Sequence, residues 1–153
     1  MLFGRTFHPE LSAQEACKLA RNLDLRTLAH LGDSVFELFE RERVLTLATV
    51  DKVHKKVVGR VNSKEQARLL LRLRPLLSDQ EQDIVRRARN LKPSGFRRNV
   101  EQSILRQATA FEALVGFLYL TDETRLKELL YATTSENEPD SALAADEREN
   151  GEI

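Results

Sequence analysis

The segments LAHLGDSVFE at residues 28–37 and AFEALVGFL at residues 110–118 are the most apolar stretches of the chain, and each has a carboxylate in its interior, Asp33 in the first and Glu112 in the second. An ionised carboxylate costs several kcal/mol to desolvate unless a cation or hydrogen-bond donors compensate it. Each acid also has a glycine within one helical turn, which permits close approach of two helix backbones. The pattern predicts a helix pair that brings Asp33 and Glu112 to one divalent metal ion.

The composition indicates a single helical domain. A chain of 153 residues can bury one hydrophobic core and is too short to expect two. Aromatic residues make up only 6% and tryptophan is absent, while the abundance of Leu, Ala, Glu, Arg and Lys favours helix. We therefore expect an all-α fold.

Cysteine content and hydropathy favour a cytoplasmic location. The single cysteine, Cys17, excludes an internal disulfide and is typical of a reducing compartment. The longest apolar block, residues 113–120, has 8 residues, far fewer than the roughly 20 that cross a bilayer. The N-terminus shows no signal peptide. We expect no membrane partner.

The formal charge of zero averages two unlike regions. Residues 133–153 contain seven acids, one arginine and no aromatic residue, a composition typical of a disordered tail. Residues 1–132 hold the other 23 basic and 17 acidic residues, a formal charge of about +6. A positive domain suits a polyanionic partner.

Helical periodicity covers most of residues 12–132, and no segment alternates as a strand does. The second helix should turn Leu28, Leu31, Val35, Leu38 and Phe39 to one side and Glu37, Glu40 and Arg41 mostly away from it. The expected helices begin with one capped by Ser12 and Glu15 and continue with Leu25 to Leu47, an Asp51-capped helix through Val58, Asn62 or Ser63 to Pro75, Asp79 to Asn90 after Ser78, Val100 to Leu120, and Thr124 to Ala132.

Basic residues cluster in the segment RRARNLKPSGFRR at residues 86–98, which contains no acid. Its Pro-Ser-Gly turn predicts a cationic loop between two helices, able to follow a phosphate backbone without reading bases. A weaker cluster is formed by His54, Lys55, Lys56 and Arg60. Solvated surface is the alternative for both clusters. The basic residues of the loop are Arg86, Arg87, Arg89, Lys92, Arg97 and Arg98.

Acids that hold a metal, flanked by cations that bind phosphate, form the arrangement used to hydrolyse a phosphodiester. Three segments, in this order and at this spacing, resemble motifs of the ribonuclease III family. They are LGDSVFEL at 31–38, RARN at 87–90 and QATAFEALVGFLYL at 107–120. They are most similar to the Mini-ribonuclease III branch, which lacks a separate double-stranded-RNA-binding domain. The resemblance spans about residues 15–132, and we assign 1–132 to the catalytic domain.

This resemblance implies a ribonuclease III-type helical endonuclease domain that acts as a homodimer on double-stranded or structured RNA. It implies Mg²⁺ as cofactor, with Mn²⁺ as a substitute, and Asp33 and Glu112 as the acids that bind the metal and support hydrolysis. It further implies products with 5′-phosphate and 3′-hydroxyl ends and a substrate in large-subunit ribosomal RNA precursor. Ala29 and Thr109 stand where full-length enzymes of the family have further acids, so a hydroxyl, a carbonyl or water must fill those ligand places.

Several residues have competing interpretations. Asp33 and Glu112 could be core acids bonded to arginines. Glu37 could lie just outside the metal ligands or pair with Arg41, and Thr109 could orient Glu112 or only pack between helices. A ribonuclease III fold without catalysis, acting as a dimeric RNA-binding protein in ribosome assembly, is the alternative function.

Phe36, Leu38 and Phe39 exceed the apolar surface that one helix face needs for its own core. A two-fold interface between two copies would bury the excess. His30 is expected at the surface or in an interface, and Cys17 is expected to be a small buried residue.

Overall fold

The computed structural model describes residues 10–45, 49–92 and 101–134. Within these ranges the chain forms seven α-helices and no strand, as the composition predicted. The helices are α1 (Ala13–Asn22), α2 (Leu25–Arg43), α3 (Val50–Val61), α4 (Ser63–Leu73), α5 (Asp79–Arg89), α6 (Gln102–Thr121) and α7 (Glu123–Ala132), with a 3₁₀ turn at Arg74–Leu76. No helix in the described ranges is long and apolar enough to cross a bilayer.

Helix α6 is the centre of the fold and packs against α1, α2, α4, α5 and α7. Its residues from Ala113 to Leu118 are all buried in succession, so the helix is apolar around its whole circumference. Phe111 of α6 meets Phe36 of α2 edge to face, with ring centroids 4.9 Å apart, and both side chains are fully buried. The core therefore holds α2 against α6.

Local signals place the helix starts. Ser12 and Ser78 each form a capping box, with Glu15 and Glu81 respectively. The Asn62 side chain accepts the Glu65 backbone N–H at 3.0 Å at the start of α4.

The predicted bounds of α2 and α3 were wrong, and α3 also continues to Val61 instead of ending at Val58. Helix α2 ends at Arg43 rather than Leu47, because the backbone N–H groups of Val44 and Leu45 bond to carbonyls three residues back and tighten the last turn. Thr49, not Asp51, caps α3 by accepting the Lys52 N–H at 3.3 Å. Asp51 lies in the first turn, where its charge complements the helix dipole.

Packing also corrects the expected faces of α2. Phe36, predicted as surplus apolar surface, is completely buried inside the monomer, whereas Leu38 is 42% exposed. Glu40, predicted to point away from the core, is only 2% exposed because α3 covers it. Cys17 is half-buried against the core.

Backbone hydrogen bonds close the last turn of α7. The Thr133 backbone N–H bonds to the carbonyls of Leu129 and Leu130, and that of Thr134 bonds to the carbonyl of Tyr131. Residues 135–153, which carry the predicted acidic tail, lie outside the described residues.

Candidate functional site

Two glycines set the contact between α2 and α6, as their positions beside the two acids predicted. A Cβ atom on Gly32 would overlap the carbonyl oxygen of Glu112 and lie 2.8 Å from the backbone nitrogen of Gly116. A Cβ on Gly116 would overlap the carbonyl oxygen of Leu28 and lie 2.9 Å from its carbonyl carbon. The two backbones therefore touch, with no side chain between them.

This contact brings the backbone of one candidate acid next to the residue that precedes the other. Asp33 follows Gly32 directly, and the backbone of Glu112 is the part of α6 that Gly32 touches. Both acids are half-buried. The side chain of Asp33 forms no hydrogen bond or ion pair with the residues that the structure describes, although ion pairs are common among them. A carboxylate so placed can still accept a cation.

The donor set at the crossing is small. In the described ranges, no three His, Cys, Asp or Glu side chains come together in a way that could hold a metal ion. Two carboxylates suit Mg²⁺, which prefers oxygen ligands, accepts few protein carboxylates and retains several of its waters. They do not suit zinc, whose structural sites use four protein ligands, most often Cys and His.

The two departures from the full-length family pattern have different surroundings. Ala29 is buried in the core and offers no side-chain ligand. Thr109 is half-buried, one turn before Glu112, and its hydroxyl donates to the Leu105 carbonyl at 2.9 Å. That bond uses the hydroxyl proton within the helix and leaves the oxygen lone pairs as acceptors.

The acid one turn after Asp33 is already paired. Glu37 accepts a hydrogen bond from Arg41 Nε at 3.0 Å, and both side chains are substantially exposed. This is the i, i+4 ion pair that the spacing favoured. His30 is exposed, as expected.

The first residues of the cationic segment are helical, not part of a loop as predicted. Arg86, Arg87 and Arg89 lie in the last turn of α5, and Lys92 follows it. Arg86 bonds to Asp83 at 2.6 Å, and Arg87 lies 3.8 Å from the same carboxylate. The acid that partly offsets these arginines lies just before the predicted segment. Arg97 and Arg98 lie outside the described residues.

The second basic cluster divides in the same way. Lys55 and Lys56 are exposed on α3, as a surface that binds phosphates requires. Arg60 instead bonds to the buried Glu40 at 3.0 Å, and Arg43 bonds to the same carboxylate at 2.9 Å. Glu40 thus ties α3 to α2, which excludes the predicted exposed position for it.

A second buried acid was also missed. Glu81 accepts hydrogen bonds from Arg125 Nε at 2.8 Å and from the Ser78 backbone N–H at 2.8 Å, and so joins α5 to the start of α7. Burial acts to raise the pKa of Glu81, but the hydrogen bonds from Arg125 and Ser78 outweigh it and hold the pKa below its usual value. The carboxylate of Glu81 in turn raises the pKa of Arg125.

An apolar groove of about 520 Å³ lies between α2 and α7. Leu38 and Tyr131 are the most exposed apolar residues in it, at 42% and 60%. Phe39 packs edge to face on Tyr131, with ring centroids 5.9 Å apart. The groove carries the part of the predicted self-association surface that remains exposed once Phe36 is buried.

Arg26 was not singled out by its sequence context. Its Nη2 donates to the backbone carbonyl of Lys92 at 2.7 Å, which joins the start of α2 to the end of α5. Arg26, Lys92 and Arg106 line a small cleft with Thr109. A cation separated from its partner by 66 residues has no local pattern that could have revealed it.

Comparison with known proteins gives a consistent result. The Ribonuclease III domain family model matches residues 26–123, which include both candidate acids. A protein named Mini-ribonuclease 3 from Symbiobacterium thermophilum is 43% identical over 109 residues, covering 69% of this chain and 84% of the relative. One of the same name from Synechococcus sp. is 44% identical over 112 residues, covering 72% of this chain and 80% of the relative.

A solved structure agrees with these matches. The X-ray crystal structure of a protein from Fusobacterium nucleatum superposes with a TM-score of 0.67 at 29% sequence identity. The superposition covers 72% of this chain and 93% of that one. The helical fold is thus shared over the described domain.

Proposed function

We propose that this chain hydrolyses double-stranded or structured RNA at Asp33 and Glu112 with the help of Mg²⁺. The chain belongs to the ribonuclease III family, within its Mini-ribonuclease III branch, and is thereby an endoribonuclease of that type. The observation that carries this proposal is the contact of Gly32 with the backbone of Glu112. This contact brings the backbone of Glu112 next to Gly32, the residue before Asp33, and so supports a metal site shared by the two acids. Mn²⁺ would substitute, since it accepts the same oxygen ligands.

The residues at the crossing fit this metal. Asp33 and Glu112 would hold the ion, and Ala29 and Thr109 leave the remaining coordination places to water and to RNA oxygens. When bound, the ion lowers the pKa of a coordinated water and offsets negative charge on the phosphoryl oxygens. Glu37 is held by Arg41 and would act only from outside these ligands.

The cationic residues would hold the RNA backbone. Our candidates are the exposed Lys55 and Lys56, the α5 residues Arg86, Arg87 and Arg89, and Lys92, Arg97 and Arg98, which follow that helix in the sequence. Since an A-form duplex hides its base edges in a narrow major groove, recognition would rest on phosphates, 2′-hydroxyls and shape. We propose in-line hydrolysis that leaves 5′-phosphate and 3′-hydroxyl ends.

The proposed substrate is large-subunit ribosomal RNA precursor in the cytoplasm. The two relatives named Mini-ribonuclease 3 support an RNA substrate, and the family resemblance supports the precursor. Residues 1–132 would form the catalytic domain, and 133–153 an acidic tail with no catalytic part.

We further propose a homodimer. The groove between α2 and α7 leaves Leu38 and Tyr131 exposed beside Phe39, and a second copy placed on it would bury that surface. Sedimentation at micromolar concentration should show a dimer. A Leu38→Glu variant that remains dimeric would place the interface elsewhere.

The deciding experiment is incubation of the protein with a long RNA duplex, with Mg²⁺ and with EDTA. We expect 5′-phosphorylated fragments only with Mg²⁺, and no cleavage of either strand alone. Tight binding of the duplex without cleavage would overturn the proposal in favour of an RNA-binding protein without catalysis.

A further inference from the structure

A small cleft between α2, α5 and α6 has a lining of one charge among the described residues. Arg26, Lys92 and Arg106 surround it, none of the described acids lines it, and Thr109 belongs to its wall. Each of the three cations is exposed. Neither Lys92 nor Arg106 forms an ion pair with any described residue, whereas seven arginines elsewhere in those ranges do, namely Arg41, Arg43, Arg60, Arg68, Arg86, Arg87 and Arg125. Three cations without a carboxylate between them form a site for an anion.

The cleft lies next to the candidate metal site. Arg26 precedes Asp33 by seven residues, two turns of α2, so both side chains point to nearly the same side, about 10 Å apart along the axis. Thr109 precedes Glu112 by one turn of α6. An anion in the cleft would therefore lie along the groove between the two helices, outside the reach of Asp33 and Glu112 themselves.

The size of the cleft limits its occupant. Its volume is about 40 Å³, close to the roughly 30 Å³ that one molecule takes up in liquid water. A phosphoryl oxygen enters such a space, but a base does not. Arg26 is suited to hold that oxygen because its Nη2 is already fixed on the Lys92 carbonyl at 2.7 Å, which leaves other guanidinium N–H groups of a pre-oriented fork.

Resting on the proposed function, we infer that Arg26, Lys92 and Arg106 bind a backbone phosphate of the RNA away from the scissile one and so position the strand on Asp33 and Glu112. Arg26 and Arg106 are positioning residues in this arrangement. Because Arg26 and Arg106 lie on α2 and α6, the helices that carry Asp33 and Glu112, the strand would be held at a fixed distance from the acids.

The test uses Arg106→Gln, since the exposed Arg106 has no described ion pair whose loss would harm folding. The matched control is Lys64→Gln, which removes an equally exposed cation on α4 that does not line the cleft. Binding of an RNA duplex is measured in EDTA from about 50 to 200 mM salt, and cleavage at saturating RNA is measured with Mg²⁺.

We expect Arg106→Gln to weaken binding about three- to tenfold near 0.1 M salt and to lower the log–log salt slope by about one. Cleavage at saturating RNA should change by less than about twofold, because the contact is remote from the chemistry. Lys64→Gln should leave both quantities unchanged. Arg26→Lys should retain the salt slope, and Arg26→Gln should lower it.

An unchanged salt slope in Arg106→Gln and Arg26→Gln would overturn the inference and leave Arg26 as a structural bond to Lys92. A loss of cleavage at saturating RNA with unchanged affinity would also overturn it, because the residues would then act on the chemistry. The phosphate site is tested by duplex binding in EDTA, and the proposed function is tested by cleavage with Mg²⁺. Failure of the wild-type protein to cleave RNA would overturn the proposed function and is a separate outcome from failure of the phosphate site.

Discussion

Asp33 and Glu40 are acids on the same helix, seven residues apart, and they point to nearly the same side of it. Glu40 is only 2% exposed and bonds to Arg43 at 2.9 Å and to Arg60 at 3.0 Å. Asp33 is half-buried at the contact with α6 and bonds to no described residue. Among the described residues, two arginines compensate the acid that stabilises the fold, and none compensates the acid that we propose for catalysis.

The difference teaches where to look for chemistry in a helical protein. Full burial of a carboxylate requires partners, and two arginines on two helices supply them to Glu40. A half-buried carboxylate at a tight backbone contact keeps a side open to solvent, from which a cation can come. Substitutions on the two sides of this comparison should therefore affect different measurements.

The largest effect is expected at the two acids proposed for catalysis. Asp33→Asn and Glu112→Gln should each reduce cleavage of an RNA duplex at least a thousandfold, about 4 kcal/mol of transition-state stabilisation, because each removes a charge that would hold the metal. Duplex binding in EDTA and thermal unfolding serve as controls and should change little. Turnover near the wild-type rate in either variant would refute the assignment of these acids.

The contact between the helices should show the next largest effect, on stability. Gly32→Ala places a Cβ on the carbonyl oxygen of Glu112 and forces α2 and α6 apart, at a cost of about 3 kcal/mol or more. Urea denaturation measures this loss. The matched control is Gly59→Ala on α3, where a Cβ meets nothing within 4 Å and the better helix former should raise stability slightly.

The compensated end of α2 should show a smaller loss of stability. Glu40→Gln removes the carboxylate that Arg43 and Arg60 share. Because both arginines are about one-fifth exposed, we expect the free energy of unfolding to fall by about 2 kcal/mol, less than the full cost of a buried ion pair that loses one partner. Asp33→Asn should leave the free energy of unfolding unchanged or raise it. Glu37→Gln, which breaks the exposed pair with Arg41, should cost less than about 0.5 kcal/mol. Equal losses in the Glu40 and Glu37 variants would contradict the comparison.

How far the sequence alone reaches is clear from the same residues. The glycine beside each acid predicted the α2–α6 contact because only backbone geometry was involved. The start of α5 followed from Ser78 and the residues after it. The burial of Glu40 did not, because it depends on Arg60, twenty residues away on another helix. Periodicity places a residue on a face of its own helix, but it does not reveal which neighbouring helix covers that face.

A third acid tests whether compensation explains stability elsewhere in the fold. Because the pKa of Glu81 is lowered by Arg125 and Ser78, its ionised form stabilises the folded protein above the unfolded-state pKa of about 4.5, and this stabilisation is lost as pH falls through the folded-state value below that. Glu81→Gln should therefore cost about 1 kcal/mol at pH 7, with the difference from wild type shrinking below about pH 4.5. Urea denaturation between pH 7 and 3 gives this profile. The control is Glu15→Gln, which alters the corresponding exposed capping box of α1. There, hydrogen bonds from Ser12 alone lower the pKa of Glu15. If the two variants show the same pH profile, the capping boxes explain the whole effect and Arg125 contributes nothing to it.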